Sequence, residues 1–425
     1  MIPESAVNPG FDHSAGTGRR TLFRFCLLAG LLGSCLGAAA LGLAPEKRIT
    51  QYLVDHWDAR DGLPQNSIYA IAQTPDGYLW LGTEEGLARF DGVRFTVYNS
   101  RNVPGLAVNF IWTLLVDRSG RLWAGTNGGG LLCLEQGRFR SYTEKDGLIS
   151  NSVHTLLLDS GGTLWIGASS GGVMPLRDGR FGPIVPVGYN AALAEEKPSE
   201  LLIGKDDNEL ARWRDGRLTL QQIPGGVAEN IVQDFCPDGA GGLWAGTSRQ
   251  GLFRLSGGQL QPAPCNEALR GAGIQALCRD RQANLWLGTF GTGLLRVRGT
   301  GIERLDTRTG LGGDIILSLF EDREGSLWAG THGGGLNRLK DGKVTTWSRR
   351  EGLAGDIVFP VFEDSRRRLW IGFYGEGLDI LEPDGRLRHL DERSGLISNL
   401  VRCFAEDRRG GLWIGTELGL NRFTG

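Results

Sequence analysis

The sequence predicts an all-β protein, a β-propeller whose blades are four-stranded antiparallel sheets. A Leu-Trp-x-Gly signature returns along the chain at an almost constant spacing. Glycine makes up 67 of the 425 residues, about twice its usual share of ~7%. Short alternating apolar runs end at Asp-Gly turns, which are strong hairpin signals. Many tight turns between short strands are typical of propellers.

The tryptophan of the signature defines the repeat. Successive tryptophans are separated by 43, 42, 79, 42, 42, 42 and 43 residues, so the gap of 79 spans two periods. That gap contains one degenerate copy of the repeat, in which Leu202 takes the place of the tryptophan. The sequence therefore contains about nine repeats. They are centred on Trp80, Trp123, Trp165, Leu202, Trp244, Trp286, Trp328, Trp370 and Trp413.

Each repeat is expected to form four strands joined by tight turns. In the first repeat the predicted strands run from Ile68 to Gln73, Tyr78 to Thr83, Leu87 to Phe90 and Val93 to Tyr98. A helical repeat is excluded, because no copy carries ten glycine-free residues with a 3.6-residue apolar period. Trp80 is expected to fill the wedge between two blades, and Gly82 to let the next blade approach closely.

Two ring arrangements remain open. Residues Ile49 to Trp57 form a lone strand-like run before the first full repeat, and the last repeat ends after its third strand. The N-terminal strand could complete the final blade and close one ring. Because propellers typically have four to eight blades, the alternative is a seven-blade ring plus part of a second.

The first 48 residues differ from the rest and predict a signal peptide or an N-terminal membrane anchor. Three arginines precede an uncharged apolar run from Phe25 to Ala44, and Ala38 to Ala40 offer a cleavage site. The run is long enough to span a membrane. Two weaker alternatives are a lipoprotein signal at Leu32 to Cys35 and a twin-arginine signal at Arg19 to Phe23. Every version places residues 49–425, the predicted propeller domain, outside the cytoplasm.

Composition and residue spacing exclude several classes of function. The formal net charge is −2 and no Lys/Arg block is present, so we expect no nucleic-acid partner. The cysteines form no CxxC pair and the five histidines show no ligand spacing, so we expect no metal or other cofactor. The Gly-rich turns at Gly125 to Gly130 and Gly330 to Gly335 join strand to strand, so they are not predicted to hold phosphate.

The repeat resembles the two-component regulator propeller family. The resemblance lies in the Leu-Trp-x-Gly-Thr…Gly-Leu run and in a preceding Asp-Gly-Leu…Asn segment, which covers residues 61–66 and 146–151. Weaker copies of that segment lie at residues 351–356 and 394–399. The match extends over about residues 49–425.

The resemblance implies the periplasmic sensing half of a bacterial membrane receptor. Its output would be a histidine kinase or a diguanylate cyclase, and no such module is encoded in this chain. We therefore expect a non-catalytic sensor that binds a small molecule or carbohydrate and signals to a membrane-bound module. A homodimer stays open. The alternatives are a lyase or glycosidase on a propeller scaffold, and a protein-interaction platform, because a fold alone does not determine function.

One position on the predicted rim of the blades varies where its surroundings do not. It lies four residues after each tryptophan, and diverse side chains on a rigid scaffold favour ligand recognition. The ligand-binding candidates are Phe290, His332, Tyr374, Glu84 and Asn127. No catalytic residue is predicted.

Phe290, His332 and Tyr374 lie on consecutive repeats and are expected to form one cluster. Replacing all three with serine should abolish the response to ligand without changing thermal stability. Ligand titration and thermal unfolding would measure this, and a melting temperature as low as that of a core variant would contradict it.

Overall fold

The computed structural model describes residues 42–169, 171–206, 208–225, 227–269 and 271–423. The predicted leader falls almost entirely on residues 1–41, outside this range, so its cleavage or retention stays a prediction. Residues Gly42–Gly425 form one compact unit. Within the described residues the regular structure consists of strands and five short 3-10 turns, which confirms the all-β prediction. The turns lie at Ile49–Gln51, Ala59–Asp61, Glu144–Asp146, Arg349–Glu351 and Glu392–Ser394.

The strands form nine antiparallel sheets, one for each predicted repeat. A lone strand, β1 (Leu53–Trp57), precedes them. Blade 1 contains β2 (Ile68–Gln73), β3 (Leu79–Thr83), β4 (Gly86–Phe90) and β5 (Phe95–Tyr98). Blade 2 contains β6 (Ile111–Val116), β7 (Leu122–Thr126), β8 (Leu131–Glu135) and β9 (Arg138–Tyr142). Blade 3 contains β10 (Val153–Leu158), β11 (Leu164–Ala168), β12 (Gly172–Arg177) and β13 (Arg180–Phe181).

The next three blades follow the same order. Blade 4 contains β14 (Asn190–Lys197), β15 (Glu200–Lys205), β16 (Glu209–Arg214) and β17 (Arg217–Gln222). Blade 5 contains β18 (Val232–Pro237), β19 (Leu243–Thr247), β20 (Gly251–Ser256) and β21 (Gln259–Pro262). Blade 6 contains β22 (Ile274–Arg279), β23 (Leu285–Thr289), β24 (Leu294–Arg298) and β25 (Gly301–Leu305).

The last three blades are less uniform. Blade 7 contains β26 (Ile316–Glu321), β27 (Leu327–Thr331) and β28 (Leu336–Lys340). Blade 8 contains β29 (Val358–Glu363), β30 (Leu369–Phe373), β31 (Leu378–Leu381) and β32 (Leu387–Leu390). Blade 9 contains β33 (Val401–Glu406), β34 (Leu412–Thr416) and β35 (Leu420–Phe423).

The N-terminal strand completes blade 7. Strand β1 pairs antiparallel with β28, with Leu53 opposite Lys340 and Trp57 opposite Leu336. The expectation that this strand could complete the final blade is therefore wrong. Two side-chain contacts favour blade 7, because Trp57 stacks on Trp328 at 5.4 Å between ring centroids and Asp55 forms an ion pair with Arg338 at 2.5 Å.

The first seven blades close into a ring. The inner strands contact each other in the cycle β2, β6, β10, β14, β18, β22 and β26, and β26 in turn contacts β2. At the closing interface Trp328, 2% exposed, packs with Ile68 of blade 1. A Cβ atom at Gly330 would lie 2.7 Å from the Ile68 carbonyl oxygen. The predicted roles of the tryptophan and the glycine are confirmed at this interface. Of the two arrangements that the sequence left open, the structure shows the seven-blade ring plus two further blades.

The degenerate fourth repeat, which lacks the tryptophan, still forms a blade. Leu202, at the tryptophan position, is fully buried and packs with Val232 and Leu243 of blade 5. A leucine can therefore fill the wedge that a tryptophan fills elsewhere, since both bury a large apolar surface.

Blades 8 and 9 lie outside the ring and pack on each other. Strands β29 and β33 are in contact, and Trp370 is fully buried against Val401 of blade 9. The other flank of blade 8 is open, so Phe359 and Val361 on its inner strand are 49% and 55% exposed. At the position of Val361, Ile71 of blade 1 and Leu277 of blade 6 are only 8% and 7% exposed.

The segment before β1 ties blade 6 to the entry of blade 8. Tyr52 is buried beside Trp286, and its hydroxyl accepts a hydrogen bond from the buried Arg296 guanidinium at 2.5 Å. Next to it, the Thr50 hydroxyl donates to the Glu351 carboxylate at 2.8 Å. The N-terminal segment thus belongs to the folded unit.

Trp328 and Trp413 form a matched pair for testing the wedge. Trp328 lies between two blades, whereas blade 9 is followed by no described blade that could cover Trp413. We expect Trp328→Ala to lower the free energy of unfolding by about 3–5 kcal/mol, through lost burial and a cavity, and Trp413→Ala to cost less than about half of that. Urea unfolding followed by tryptophan fluorescence measures both. Equal losses would contradict the role assigned to the wedge.

Candidate functional site

The loops that enter the inner strands and the turns between the second and third strands meet at one end of each blade. We call this end the first rim, and the opposite end, formed by the Asp-Gly turns, the second rim. On the first rim, the backbone N–H four residues after the tryptophan donates to the loop that enters the inner strand of the same blade, in blades 2, 3 and 5 to 9. The His332 N–H donates to the Ile315 carbonyl at 2.9 Å, and the Phe290 N–H donates to the Gly273 carbonyl at 2.8 Å. The repeated bond gives this variable side chain a constant place.

In four blades the variable residue contacts a second variable residue, eleven positions before the tryptophan. We call the two a rim pair. In blade 1 the Tyr69 hydroxyl donates to the Glu84 carboxylate at 2.6 Å. In blade 8 the rings of Phe359 and Tyr374 lie 5.4 Å apart. Further rim pairs in contact are His154 with Ser169, through a hydrogen bond, and Arg402 with Glu417, at 4.0 Å.

The structure brings together some of the predicted site residues and separates others. Phe290 of blade 6 and His332 of blade 7 lie on adjacent blades of the ring, and both are exposed. Ring closure makes blade 1, which carries Glu84, the other neighbour of blade 7, and Asn127 follows on blade 2. Tyr374 lies on blade 8, outside the ring. The ring neighbours of His332 are therefore Phe290 and Glu84.

An aromatic cluster that the sequence analysis missed joins the rim pairs of blades 1 and 2. Tyr69, Phe110 and Trp112 are half-buried. The ring centroids of Phe110 and Trp112 are 4.4 Å apart and nearly parallel, and Tyr69 lies 4.9 Å from Phe110 and 5.0 Å from Trp112. Tyr69 and Trp112 both stand eleven residues before a tryptophan. A second variable position with the same period was the sequence signal that could have found them.

Charge and hydrogen bonding fix the polar edge of this cluster. Burial and the adjacent Glu84 carboxylate raise the pKa of the Tyr69 phenol, so its hydroxyl stays protonated and donates to Glu84. On the next blades the Ser152 hydroxyl lies 3.4 Å from the Asn127 side-chain oxygen, and the His154 ring is 5.9 Å from the Tyr189 ring. The rim of blades 1 to 3 thus presents aromatic faces bordered by hydrogen-bonding groups.

N–H groups of the Gly-rich turns donate hydrogen bonds to backbone carbonyl groups of the neighbouring blade. The Gly130 N–H donates to the Asn151 carbonyl at 2.7 Å, and the Gly335 N–H donates to the Asn66 carbonyl at 2.9 Å. Asn66 and Asn151 end the Asp-Gly-Leu…Asn segments of the following blades. The turns therefore join one blade to the next, as expected of connections that lack a following helix.

In the part of the chain that the structure describes, no group of three or more His, Cys, Asp or Glu side chains is arranged to hold a metal ion. None of the helices in that part has the length and apolar character to cross a membrane. Cys133, Cys236 and Cys265 are buried free thiols, and burial raises the pKa of Cys236 to about 12.

A ring of seven four-stranded antiparallel blades defines a β-propeller. Five segments match the family model for the two component regulator propeller, at residues 62–85, 105–128, 147–170, 310–333 and 395–417. These five segments, which together make up less than half of the chain, are similar to two-component regulator propeller repeats. No curated protein sequence matches it.

Solved structures show the same fold. The extracellular domain described as that of a hybrid two component system from B. thetaiotaomicron is 26% identical, with a TM-score of 0.70 over 88% of this chain and 53% of that one. A second extracellular domain from B. thetaiotaomicron, of a one component system, is 22% identical, with a TM-score of 0.57 over 88% and 52%. Virginiamycin B lyase from Staphylococcus aureus is 14% identical, with a TM-score of 0.54 over 68% and 99%, which shows the fold alone. The chain spans about half the length of the two extracellular domains.

One carboxyl group between blades 5 and 6 has a strongly shifted pKa. Burial raises the pKa of Asp234 to about 7, although the N–H groups of Leu277 and Phe235 bond to the carboxylate and oppose the rise. Because the unfolded carboxyl titrates near 3.9, the folded state holds this proton more tightly. The contribution of Asp234 to stability is therefore greatest below about pH 4 and is lost as pH rises toward 7.

Asp234→Asn should remove this dependence. We expect the variant to lose less stability than the wild type between pH 4.5 and 7.5, by on the order of 2–4 kcal/mol. The measurement is the urea midpoint at several pH values, with Asp384→Asn, at an exposed turn, as the control. Parallel pH profiles of the Asp234 variant and the wild type would refute the shift.

Proposed function

We propose that this protein is the ligand-sensing, extracytoplasmic propeller of a bacterial signal-transduction receptor. In this proposal it binds a carbohydrate or similar small molecule at the first rim. It is itself non-catalytic and signals to a membrane-bound histidine kinase or diguanylate cyclase module. The observation that carries the proposal is the row of rim pairs, where variable polar and aromatic side chains stand in constant places.

The aromatic cluster of blades 1 and 2 favours a carbohydrate. Aromatic faces bury the apolar C–H faces of sugar rings, and neighbouring carboxylate, amide and hydroxyl groups can bond to sugar hydroxyls. Trp112 supplies the largest face, Glu84 supplies a carboxylate bonded to Tyr69 of the cluster, and Asn127 and Ser169 supply polar groups on the first rim of blades 2 and 3.

The comparisons support the setting. The repeat family and the two B. thetaiotaomicron structures belong to signalling proteins, and both solved chains are extracellular domains. We extend that location and role to this chain as part of the proposal, together with an N-terminal segment that directs export.

A second candidate role is a protein-interaction platform. The exposed apolar flank of blade 8, with Ile357, Phe359 and Val361, supports it because exposed apolar patches mark interaction surfaces. Light scattering during size-exclusion chromatography tests for a homodimer. Dissociation by Val361→Glu would favour this role, and a monomeric wild type would argue against self-association.

Trp112→Ala tests the ligand proposal. On an array of oligosaccharides the purified protein should bind at least one class of glycan, and Trp112→Ala should weaken that binding by about tenfold or more. Phe359→Ala is the matched control, since it removes the same rim position from blade 8, outside the ring. The double variant Phe290→Ser and His332→Ser tests two exposed rim positions that the sequence predicts to bind ligand.

A signalling role requires the same substitution to act in the cell. Cells that carry Trp112→Ala should lose the transcriptional response to the glycan that binds. Melting temperatures must stay close to that of the wild type. Binding by no glycan, or equal weakening by the blade 8 control, would contradict the proposed site. Binding that is lost without any change in transcription would contradict the sensor role.

A further inference from the structure

In most blades an arginine pairs across the strands with the wedge residue. It stands on the third strand, directly opposite the wedge residue of the second strand. Six blades share this register. The pairs are Trp80 with Arg89, Leu202 with Arg212, Trp244 with Arg254, Trp286 with Arg296, Trp328 with Arg338, and Trp413 with Arg422.

Five of these six arginines form ion pairs with carboxylates of the protein. The partners are Glu200 for Arg212 at 2.6 Å, Asp238 for Arg254 at 2.7 Å, Glu303 for Arg296, Asp55 for Arg338 at 2.5 Å, and Asp407 for Arg422 at 3.3 Å. In blades 5 and 9 the partner is the aspartate six residues before the tryptophan. In five of the six blades, a carboxylate therefore neutralises the guanidinium at this position.

Blade 1 departs from this rule. Thr74 replaces the aspartate, and its hydroxyl still accepts the Trp80 indole N–H at 2.9 Å. The replacement keeps the hydrogen bond but removes the carboxylate from this position; the nearest carboxylate of the turn is that of Asp76, which accepts a hydrogen bond from the Thr74 hydroxyl at 2.5 Å. The Arg89 guanidinium instead lies over the Tyr78 ring, 4.4 Å from its centroid. Among the described residues, no carboxylate lies within 4.0 Å of Arg89 and none accepts a hydrogen bond from it. Stacking on a ring leaves the in-plane N–H donors of a guanidinium free.

Arg89 lines a cleft of about 410 Å3 between blades 1 and 2 on the second rim. The apolar side of the cleft consists of Trp80, Tyr98, Leu122, Leu134 and Phe139. The rings of Tyr98 and Phe139 lie 5.5 Å apart. The cleft thus combines an apolar wall with hydrogen-bond donors of Arg89 for which no described residue supplies an acceptor, as small-molecule sites do.

The other charges of the cleft are occupied or solvated. Arg121 bonds to the Asp117 carboxylate at 2.7 Å. Asp76 and Glu135 also line the cleft, and both are exposed. Solvent therefore screens these two carboxylates more than it screens the half-buried Arg89.

We propose that this cleft binds a small carboxylate with an aromatic or aliphatic body. The carboxylate takes the place that an aspartate or glutamate occupies in the other blades and bonds to Arg89 through both oxygens, the geometry that guanidinium favours. The apolar body packs against Tyr98 and Phe139. The site lies on the rim opposite the proposed sensing site and does not depend on it.

Isothermal titration calorimetry with 3-phenylpropionate as the probe tests the proposal. The purified protein should bind 3-phenylpropionate, and should bind the uncharged 3-phenylpropanamide about tenfold more weakly or less. Arg89→Gln should weaken carboxylate binding to a similar extent. Arg217→Gln, an exposed charge change on blade 4 outside the lining of the cleft, should leave binding unchanged. L-Phenylalanine, in a separate titration, shows whether an added ammonium group helps through Asp76 and Glu135.

Thr74→Asp is the sharper variant because it restores the aspartate of the other blades. It should retain the bond to Trp80, neutralise Arg89 from within the protein and abolish 3-phenylpropionate binding, with a melting temperature equal to or above that of the wild type. The proposal is overturned if the wild type binds neither carboxylate, if the amide binds as well as the acid, or if Thr74→Asp binds like the wild type. Equal loss of binding in Arg217→Gln would also overturn it.

Discussion

The hydrogen bond that six of the eight wedge tryptophans donate to the aspartate six residues earlier is the interaction on which the blades depend. A buried indole N–H requires an acceptor. In blade 6 one oxygen of Asp280 accepts the Trp286 N–H at 2.8 Å, while the other accepts the Asn284 backbone N–H at 2.8 Å. The same carboxylate therefore shapes the hairpin turn and positions the wedge residue. Five other blades make the indole bond, at Trp123, Trp165, Trp328, Trp370 and Trp413.

This bond joins local structure to tertiary structure. The turn is specified within six residues, yet the indole that it orients is buried by the next blade, as Trp370 is by Val401. Each blade therefore presents a preformed wall to its successor, and the rims carry little of the packing. Side chains at the rim pairs can vary because the scaffold does not use them, and this separation allows a repeated fold to carry a specific site.

The regular part of this architecture could be predicted from the sequence. The predicted strands of the first repeat agree with β2 to β5 to within two residues at each end, and the blade formed around Leu202 was expected from spacing alone. The partner of the N-terminal strand could not be predicted. Blades 7 and 9 both have three sequential strands, and only the structure shows Trp57 stacked on Trp328 and Asp55 on Arg338.

Only one residue of each rim pair could be predicted from the sequence, for a related reason. The position four residues after each tryptophan is variable and was found by reading along the chain. Its partner lies fifteen residues earlier, on a different strand, and the contact of Tyr69 with Glu84 depends on the bulged register between β2 and β3. Likewise, three consecutive repeats suggested that Tyr374 lies near His332. Closure after seven blades instead places blade 1 next to His332, because the number of blades, which no single repeat encodes, decides which rim pairs are neighbours.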